Sequence, residues 1–316
     1  MTGYVGRRLL QLGPTLFGMS VVIFLMVRLM PGDVVDVLTG GDVSITPEQR
    51  DAIKRSLGLD QPLPVQYVHW IFGMVTGDPG FSLRSHEPVY TILGRALPIT
   101  VELVVMAIVI SVLIGIPLGV ASATRANSAG DFGARVGGLM GLSMPSFWLA
   151  TLILLFTSLV FQWVPAVSYE PFLKDPITNL SQMILPALSI SVFVIAIVMR
   201  MTRATMLEVL RQDYVRTARA KGGTRRSVTY RHALRNALIP VVTVVGFQVG
   251  TLMSGAAIVE VIFGLPGVGY TLIQAIFGRD YTLVETTTML LATIFVVLNL
   301  LVDLAYVVID PRIKVQ

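Results

Sequence analysis

The sequence predicts an all-α integral membrane protein of six transmembrane helices, with a small extracytoplasmic cap between the first and second. Three observations carry that reading. Of 316 residues, 54% are hydrophobic and only 14% charged, with a mean hydropathy of +0.75, which is too apolar for a soluble domain. The apolar residues fall in long runs almost free of charge, as bilayer-spanning helices require. The basic residues are concentrated instead. Between Arg200 and Arg235 ten Lys or Arg stand against two acids, Glu208 and Asp213. Such a segment crosses a bilayer only at high cost, so it marks one side as cytoplasm.

Six spans follow, at roughly 9–30, 99–124, 136–163, 183–202, 239–262 and 284–309. At about 1.5 Å per residue each covers a hydrocarbon core of roughly 30 Å. The first follows Arg7 and Arg8 and resembles a signal peptide, but it exceeds the usual h-region of about 7–15 residues. Pro31-Gly32-Asp33 offers no small-residue cleavage site, so the segment reads as a retained anchor. With both termini inside, the inner segments hold Arg7, Arg8, Arg125, Arg135, the ten bases of the loop, Arg312 and Lys314, sixteen of the 24 basic residues. Arg50, Lys54, Arg55, Arg84 and Arg95 lie in the long outer segment, which escapes the charge rule. The expected place is the cell's inner (plasma) membrane, crossed several times, with 310–316 as a cytoplasmic tail.

The outer segment, 31–98, carries helix signals. Thr46-Pro47-Glu48-Gln49 reads as an N-cap, a proline at the first helical position and a glutamine completing a capping box. Gly58 suits the end of that helix, and Gln66–Thr76 reads as a second, stopped by Gly77-Asp78-Pro79-Gly80. A plain linker is the alternative, but long loops with such signals are usually packed. Four prolines, Pro117, Pro145, Pro186 and Pro240, fall within spans, and Gly115 and Gly119 form a small-xxx-small face for close helix contact. A moving bundle and a static one both accommodate these features.

The core from 97 to 309 contains a cytoplasmic loop at 203–238. Over Met206–Ala220 a helical wheel gathers Leu207, Leu210, Tyr214 and Ala218 on one side, with Glu208, Gln212, Arg216 and Arg219 opposite. Gly222-Gly223 ends that helix, Gly222 as a left-handed residue, and Thr224 caps a second helix from Arg225 to about Leu238 that enters span five. The pattern is a helix–turn–helix elbow. A basic loop that only sets topology and touches lipid headgroups is the plainer reading, and Arg225 and Arg226 suit it.

The stretch Arg216-Thr217-Ala218-Arg219-Ala220-Lys221-Gly222, with Arg231-His232-Ala233-Leu234-Arg235 after it, resembles the E-A-A-x-x-x-G-x₉-I-x-L-P loop of ABC importer permeases. It departs from the general form: Arg216 stands for Glu, Thr217 for the first alanine, and His232 and Arg235 for Ile and Pro. With Asp213-Tyr214-Val215 before it and Asn236-Ala237 after, it is similar to the variant of the dipeptide/oligopeptide/nickel branch. Gly6-Arg7-Arg8, Met30-Pro31-Gly32-Asp33, Gly58-Leu59-Asp60-Gln61-Pro62, Gly77-Asp78-Pro79-Gly80-Phe81-Ser82, Ser143-Met144-Pro145-Ser146-Phe147-Trp148, Gly264-Leu265-Pro266-Gly267-Val268-Gly269 and Asp310-Pro311-Arg312 extend the resemblance along the chain.

The resemblance implies a type I ABC importer permease fold and the first of two permease subunits. It implies as partners a second, homologous permease, two ATPase subunits, an extracytoplasmic solute-binding protein and membrane lipid. Tyr214, Arg216, Thr217, Ala218, Arg219, Lys221 and Gly222 would then form the coupling element seated on an ATPase. ATP and magnesium belong to those ATPases, and this chain is expected to need no cofactor. The implied cargo is a di- or oligopeptide, with a nickel chelate or other small solute as alternatives of the same branch.

Other classes find little support. No Gly-Lys pair occurs, so there is no P-loop. Zero cysteines exclude thiolate chemistry, and His69, His86 and His232 lack metal-ligand spacing. No catalytic arrangement is legible, so no enzyme activity and no metal site is expected. The net charge of +5 and pI near 9.6 reflect a local excess beside spans, unaccompanied by any nucleic-acid module. An ATP-independent secondary transporter would carry internal repeats with discontinuous helices, and no two-half repeat is evident. A passive membrane scaffold would need neither proline-bearing spans nor a cap. Glu102, Glu260 and Glu285, at outer span ends, are candidates to line the translocation path, as is Pro145, with helix-end carboxylates in the headgroup zone as the plainer reading. Asp303 is expected to pair with a base on a neighbouring span. Leu272–Phe277, in the last outer loop, is a candidate gate.

Overall fold

Helices account for the regular structure of the described residues, which in this computed structural model are 2–29, 35, 46–56 and 58–309. Met30-Pro31-Gly32-Asp33, the terminal Asp310-Pro311-Arg312 with the tail, and the side chains of Arg7 and Asp303 lie outside them. The chain divides into two compact units, one of residues 1–100 with 266–297 and one of 101–265 with 298–316.

In the first unit α1 (Thr2–Arg28) runs unbroken through Pro14. α2 (Pro47–Ser56) starts at the expected capping box: the Thr46 amide donates to Gln49 Oε1 at 3.0 Å and the Gln49 amide to Thr46 Oγ1 at 3.3 Å. Gly58, at φ +66°, follows as the left-handed stop. α3 (Leu63–Thr76) begins three residues earlier than the sequence suggests, because Pro62 and Pro64 suit a first turn, and Gly77 ends it at φ +83°. α3 lies along α1 through an aromatic cluster, with Phe24 5.5 Å from Tyr67 and 6.0 Å from Trp70 by ring centroids. Ser20 and Tyr67 share a hydrogen bond at 2.7 Å. Among the described residues, α3 is therefore packed against α1.

The unit's apolar core joins Val27 of α1, Val89 and Leu93 at the start of α4 (Val89–Thr124), Ala275 of α10 (Val268–Phe277), and Tyr281, Leu283 and Val284 of α11 (Tyr281–Ile309). An ion pair reinforces it. Arg28 Nη1 donates to Glu285 Oε1 at 2.6 Å, its Nε to Gln66 Oε1 at 3.0 Å, and its guanidinium lies 4.6 Å from the Phe24 ring centre.

The second unit is built around α7 (Pro176–Val209), which packs on α5 (Ala129–Ser143), α6 (Ser146–Phe161) and α9 (Leu234–Phe263). The 36 residues of α4 and 34 of α7 extend well past the predicted spans. Asp175 explains the early start of α7: its carboxylate accepts from the Ile177 and Thr178 amides, each at 3.2 Å. α4 and α7 touch at glycine. A β-carbon on Gly119 would lie 2.5 Å from Thr202 Cβ, and one on Gly115 2.9 Å from Val198 Cβ, so the expected small-residue face is a helix contact.

Two expectations need correction. Span three is not one helix: α5 and α6 meet at Met144-Pro145 with a bend of 104°. The backbone at Met144 is extended, which a residue before proline favours. Pro117, Pro186 and Pro240 instead lie within continuous helix. Nor is Met206–Ala220 one helix. α7 ends at Val209, and a turn at Leu210–Gln212 separates it from α8 (Asp213–Ala220). After α8 come a single turn, Arg225–Ser227, and a π-helical stretch, Val228–Ala233, that merges into α9.

Candidate functional site

The elbow is assembled by local signals. Gly222 takes φ +81°, and the Gly222 and Gly223 amides donate to the carbonyls of Arg219 and Ala218 at 3.0 and 3.1 Å. Gly223 is held by close approach: a β-carbon there would sit 2.8 Å from the Ala218 carbonyl oxygen. Thr224 then caps the next turn, its Oγ1 accepting from the Ser227 amide at 3.3 Å.

The burial differs from the simple wheel. Val215 is the fully buried side chain of α8, while Tyr214 is exposed and accepts a 2.7 Å hydrogen bond from Asn236 Nδ2. The intervening turn resets the helical phase, so α8 does not continue the stripe of α7. Leu207 and Leu210 do pack as expected, against a core of Val120, Ala123, Met206, Ala233 and Ala237. Ala218 is half-buried, and Arg216, Thr217, Arg219 and Lys221 are exposed. The result is a short helix pinned by one apolar plug, with a solvent-facing basic side on which Arg216 pairs with Asp213 at 2.9 Å.

The base of the elbow is anchored twice. Arg225 Nη2 donates to the carbonyl of Thr124, the last residue of α4, at 2.9 Å. Nearby in sequence, Asp131 is 1% exposed and receives a bidentate grip from Arg203, Nε at 2.7 Å and Nη2 at 2.9 Å. Ser122 Oγ donates to Asp131 at 2.5 Å and the Asn127 amide at 2.9 Å. One carboxylate thus ties α4, α5 and α7. Sequence reasoning missed it, although Ser128-Ala129-Gly130-Asp131 has the spacing of a helix cap, and the Asp131 amide does donate to Ser128 Oγ at 3.2 Å.

The path candidates are dispersed. Pro145 lines a cavity of about 300 Å³ with Ser143, Ser146, Phe193, Thr251 and Gly255. Breaking a span there frees backbone groups that hydrocarbon does not satisfy, so such a break belongs where protein or water lines it. Glu102 is half-buried, and Tyr169 donates to its Oε2 at 2.5 Å. Burial, then the Glu102 carboxylate, pushes the Tyr169 phenol well above its usual range. Glu260 is fully buried in α9. Glu285 is committed to Arg28. In α10, Leu272 packs on the first unit's core, whereas Phe277 is 81% exposed. Among the described residues no three His, Asp or Glu converge as metal ligands.

Comparison with known proteins agrees with this architecture. Residues 115–315 match the family described as binding-protein-dependent transport system inner membrane component, and residues 1–104 match its N-terminal companion. A putative peptide transport system permease protein of Brucella abortus is 40% identical over 314 residues, covering 99% of each chain. The dipeptide transport system permease protein DppB of Escherichia coli K12 is 41% identical over 337 aligned positions, again covering 99% of each. A crystal structure of an amino acid ABC transporter with histidines superposes with a TM-score of 0.50 at 17% identity, over 71% of this chain and 94% of that one, a likeness of fold. By sequence over its whole length, the chain belongs to the binding-protein-dependent inner membrane components, the multi-pass permeases of ABC transporters.

Proposed function

We propose that the chain forms half of the translocation path of an ATP-driven importer of di- or oligopeptides, with the elbow at 213–222 as its coupling element. The carrying observation is the build of that elbow: a helix of eight residues, plugged by Val215, closed by Gly222 and Gly223, and tied through Arg225 to α4. A short helix held between two spans by tight turns transmits rigid-body motion from a partner closing on nucleotide. Arg216, Arg219 and Lys221 offer charge to acidic rims on two ATPase subunits, and Tyr214, Thr217 and Ala218 complete the contact. A second permease and a solute-binding protein complete the assembly, with both termini of this chain cytoplasmic. Full-length relatives named for peptide transport support the cargo. Pro145 and Glu102 line the path in this reading, and α10, with Leu272 packed on the core and Phe277 exposed, acts as the outer gate.

Co-expression with the cognate ATPases tests the assignment. The double variant Ala218→Glu, Gly222→Arg is expected to fold and reach the membrane yet lose its ATPase partners on purification. An undiminished complex overturns the coupling role.

A further inference from the structure

The first unit holds a second cavity, of about 420 Å³, whose wall includes Ser82, Arg84, Gln274, Gly278 and Asp280. Its floor is satisfied. Ser82 Oγ donates to Asp280 Oδ2 at 2.5 Å, both residues being 2% exposed, and the Leu283 amide donates to Oδ1 at 3.2 Å. Asp280 thus caps α11, and its charge is met by these donors and by the helix N-terminus. Glu87 is likewise occupied by an ion pair with Arg95.

Arg84 is left over. Its side chain lies across Gly278, where a β-carbon would fall 3.2 Å from Nη1 and 3.6 Å from Cδ. Arg84 is exposed to solvent, and among the described residues no carboxylate stands within ion-pair distance of its guanidinium. Exposed aromatic residues flank the cavity in sequence, Phe81 beside Ser82 at 58% and Phe277 beside Gly278 at 81%. An exposed arginine on the wall of a ligand-sized hollow with aromatic neighbours has the composition of a protein interface.

We propose that this cavity seats an acidic side chain from a loop tip of the solute-binding protein, paired with Arg84. The inference rests on the importer reading above, which puts this unit's outer segment on the extracytoplasmic side. A guanidinium pairs a carboxylate through two parallel hydrogen bonds, and a charge near the rim of an interface governs association and its salt dependence.

The test uses the complete transporter in proteoliposomes, with ATPase activity titrated by peptide-loaded binding protein. Arg84→Glu is expected to raise the half-stimulating concentration about tenfold at roughly 50 mM salt, with the gap closing near 500 mM and unstimulated activity unchanged. Arg84→Lys is expected to shift it less, because a point charge keeps attraction but loses the fork. Equal titrations for wild type and Arg84→Glu overturn the proposal. So does a shift seen with a free-carboxylate peptide but not with its C-terminal amide, which would assign Arg84 to the cargo. A wild-type complex that fails to assemble, or ignores the binding protein, instead refutes the importer reading itself.

Discussion

Substituting Gly119 with alanine tests the close contact between α4 and α7 in the molecule's second unit. The new β-carbon would fall 2.5 Å from Thr202 Cβ and 2.7 Å from the Met199 carbonyl oxygen. Carbon atoms pack at about 3.5–4.0 Å, so the shortfall is about 1 Å. Neither obstacle can swing aside, since one is backbone and the other the first carbon of a β-branched side chain. α4 and α7 must therefore separate, loosening the Gly115–Val198 contact as well. Overpacking of this kind costs about 1–3 kcal/mol, against a gain of up to about 1 kcal/mol in helix propensity. Gly94 provides the control within the same helix, because a β-carbon there meets nothing within 4 Å. Gly94→Ala is expected to be neutral or up to about 1 kcal/mol stabilising. Thermal unfolding of the purified chain in detergent, followed by circular dichroism, should place Gly119→Ala about 2 kcal/mol below Gly94→Ala. Equal midpoints, or a more stable Gly119→Ala, would refute the contact.

Removing one member of the Arg28–Glu285 pair strands the other, whose side chains are only 19% and 4% exposed. Glu285→Ala is expected to destabilise by about 3–5 kcal/mol, while Arg28→Met with Glu285→Leu recovers much of it. A double-mutant cycle checks this, and additive single losses would contradict it. At Asp175 the Thr178 side chain, then the Thr178 and Ile177 amides, hold the carboxyl below its usual range. A folded value below the unfolded one means stabilisation present above about pH 4 and lost as pH falls through the folded value. The midpoint gap between wild type and Asp175→Ala should thus be open at neutral pH and close in acid. A gap unchanged down to the acid limit would contradict the charged cap.

What the sequence made legible was local or periodic. The capping box at Thr46–Gln49, the left-handed Gly58, Gly77 and Gly222, the Thr224 cap and the Gly115/Gly119 face each depend on residues within one or two turns. The charged ties were not legible, for the opposite reason. Arg28 meets Glu285 across 257 positions, Ser82 meets Asp280 across 198, and Arg203 meets Asp131 across 72. No periodicity encodes such pairings. The error over Tyr214 and Val215 has a different cause. A wheel drawn through Leu210–Gln212 assumes one continuous phase, and three residues of turn suffice to rotate the face that follows. Pro145 differs from Pro117, Pro186 and Pro240 in its surroundings, not in its residue type, so only packing reveals that it alone among the four divides a span.

The π-helical stretch at Val228–Ala233 sets how the elbow and α9 are phased. A helix of i→i+5 bonds turns less per residue than an α-helix, so its wider coil changes the angular register of everything downstream. Thr229 and Ala233 face inward there while Tyr230 and Arg231 point out. Shortening this stretch by one residue would let it tighten to ordinary α-helix and swing the basic face by up to about 100° about the axis of α9. The widened coil therefore acts as a compass setting: it fixes the direction in which the charged bend points from α9.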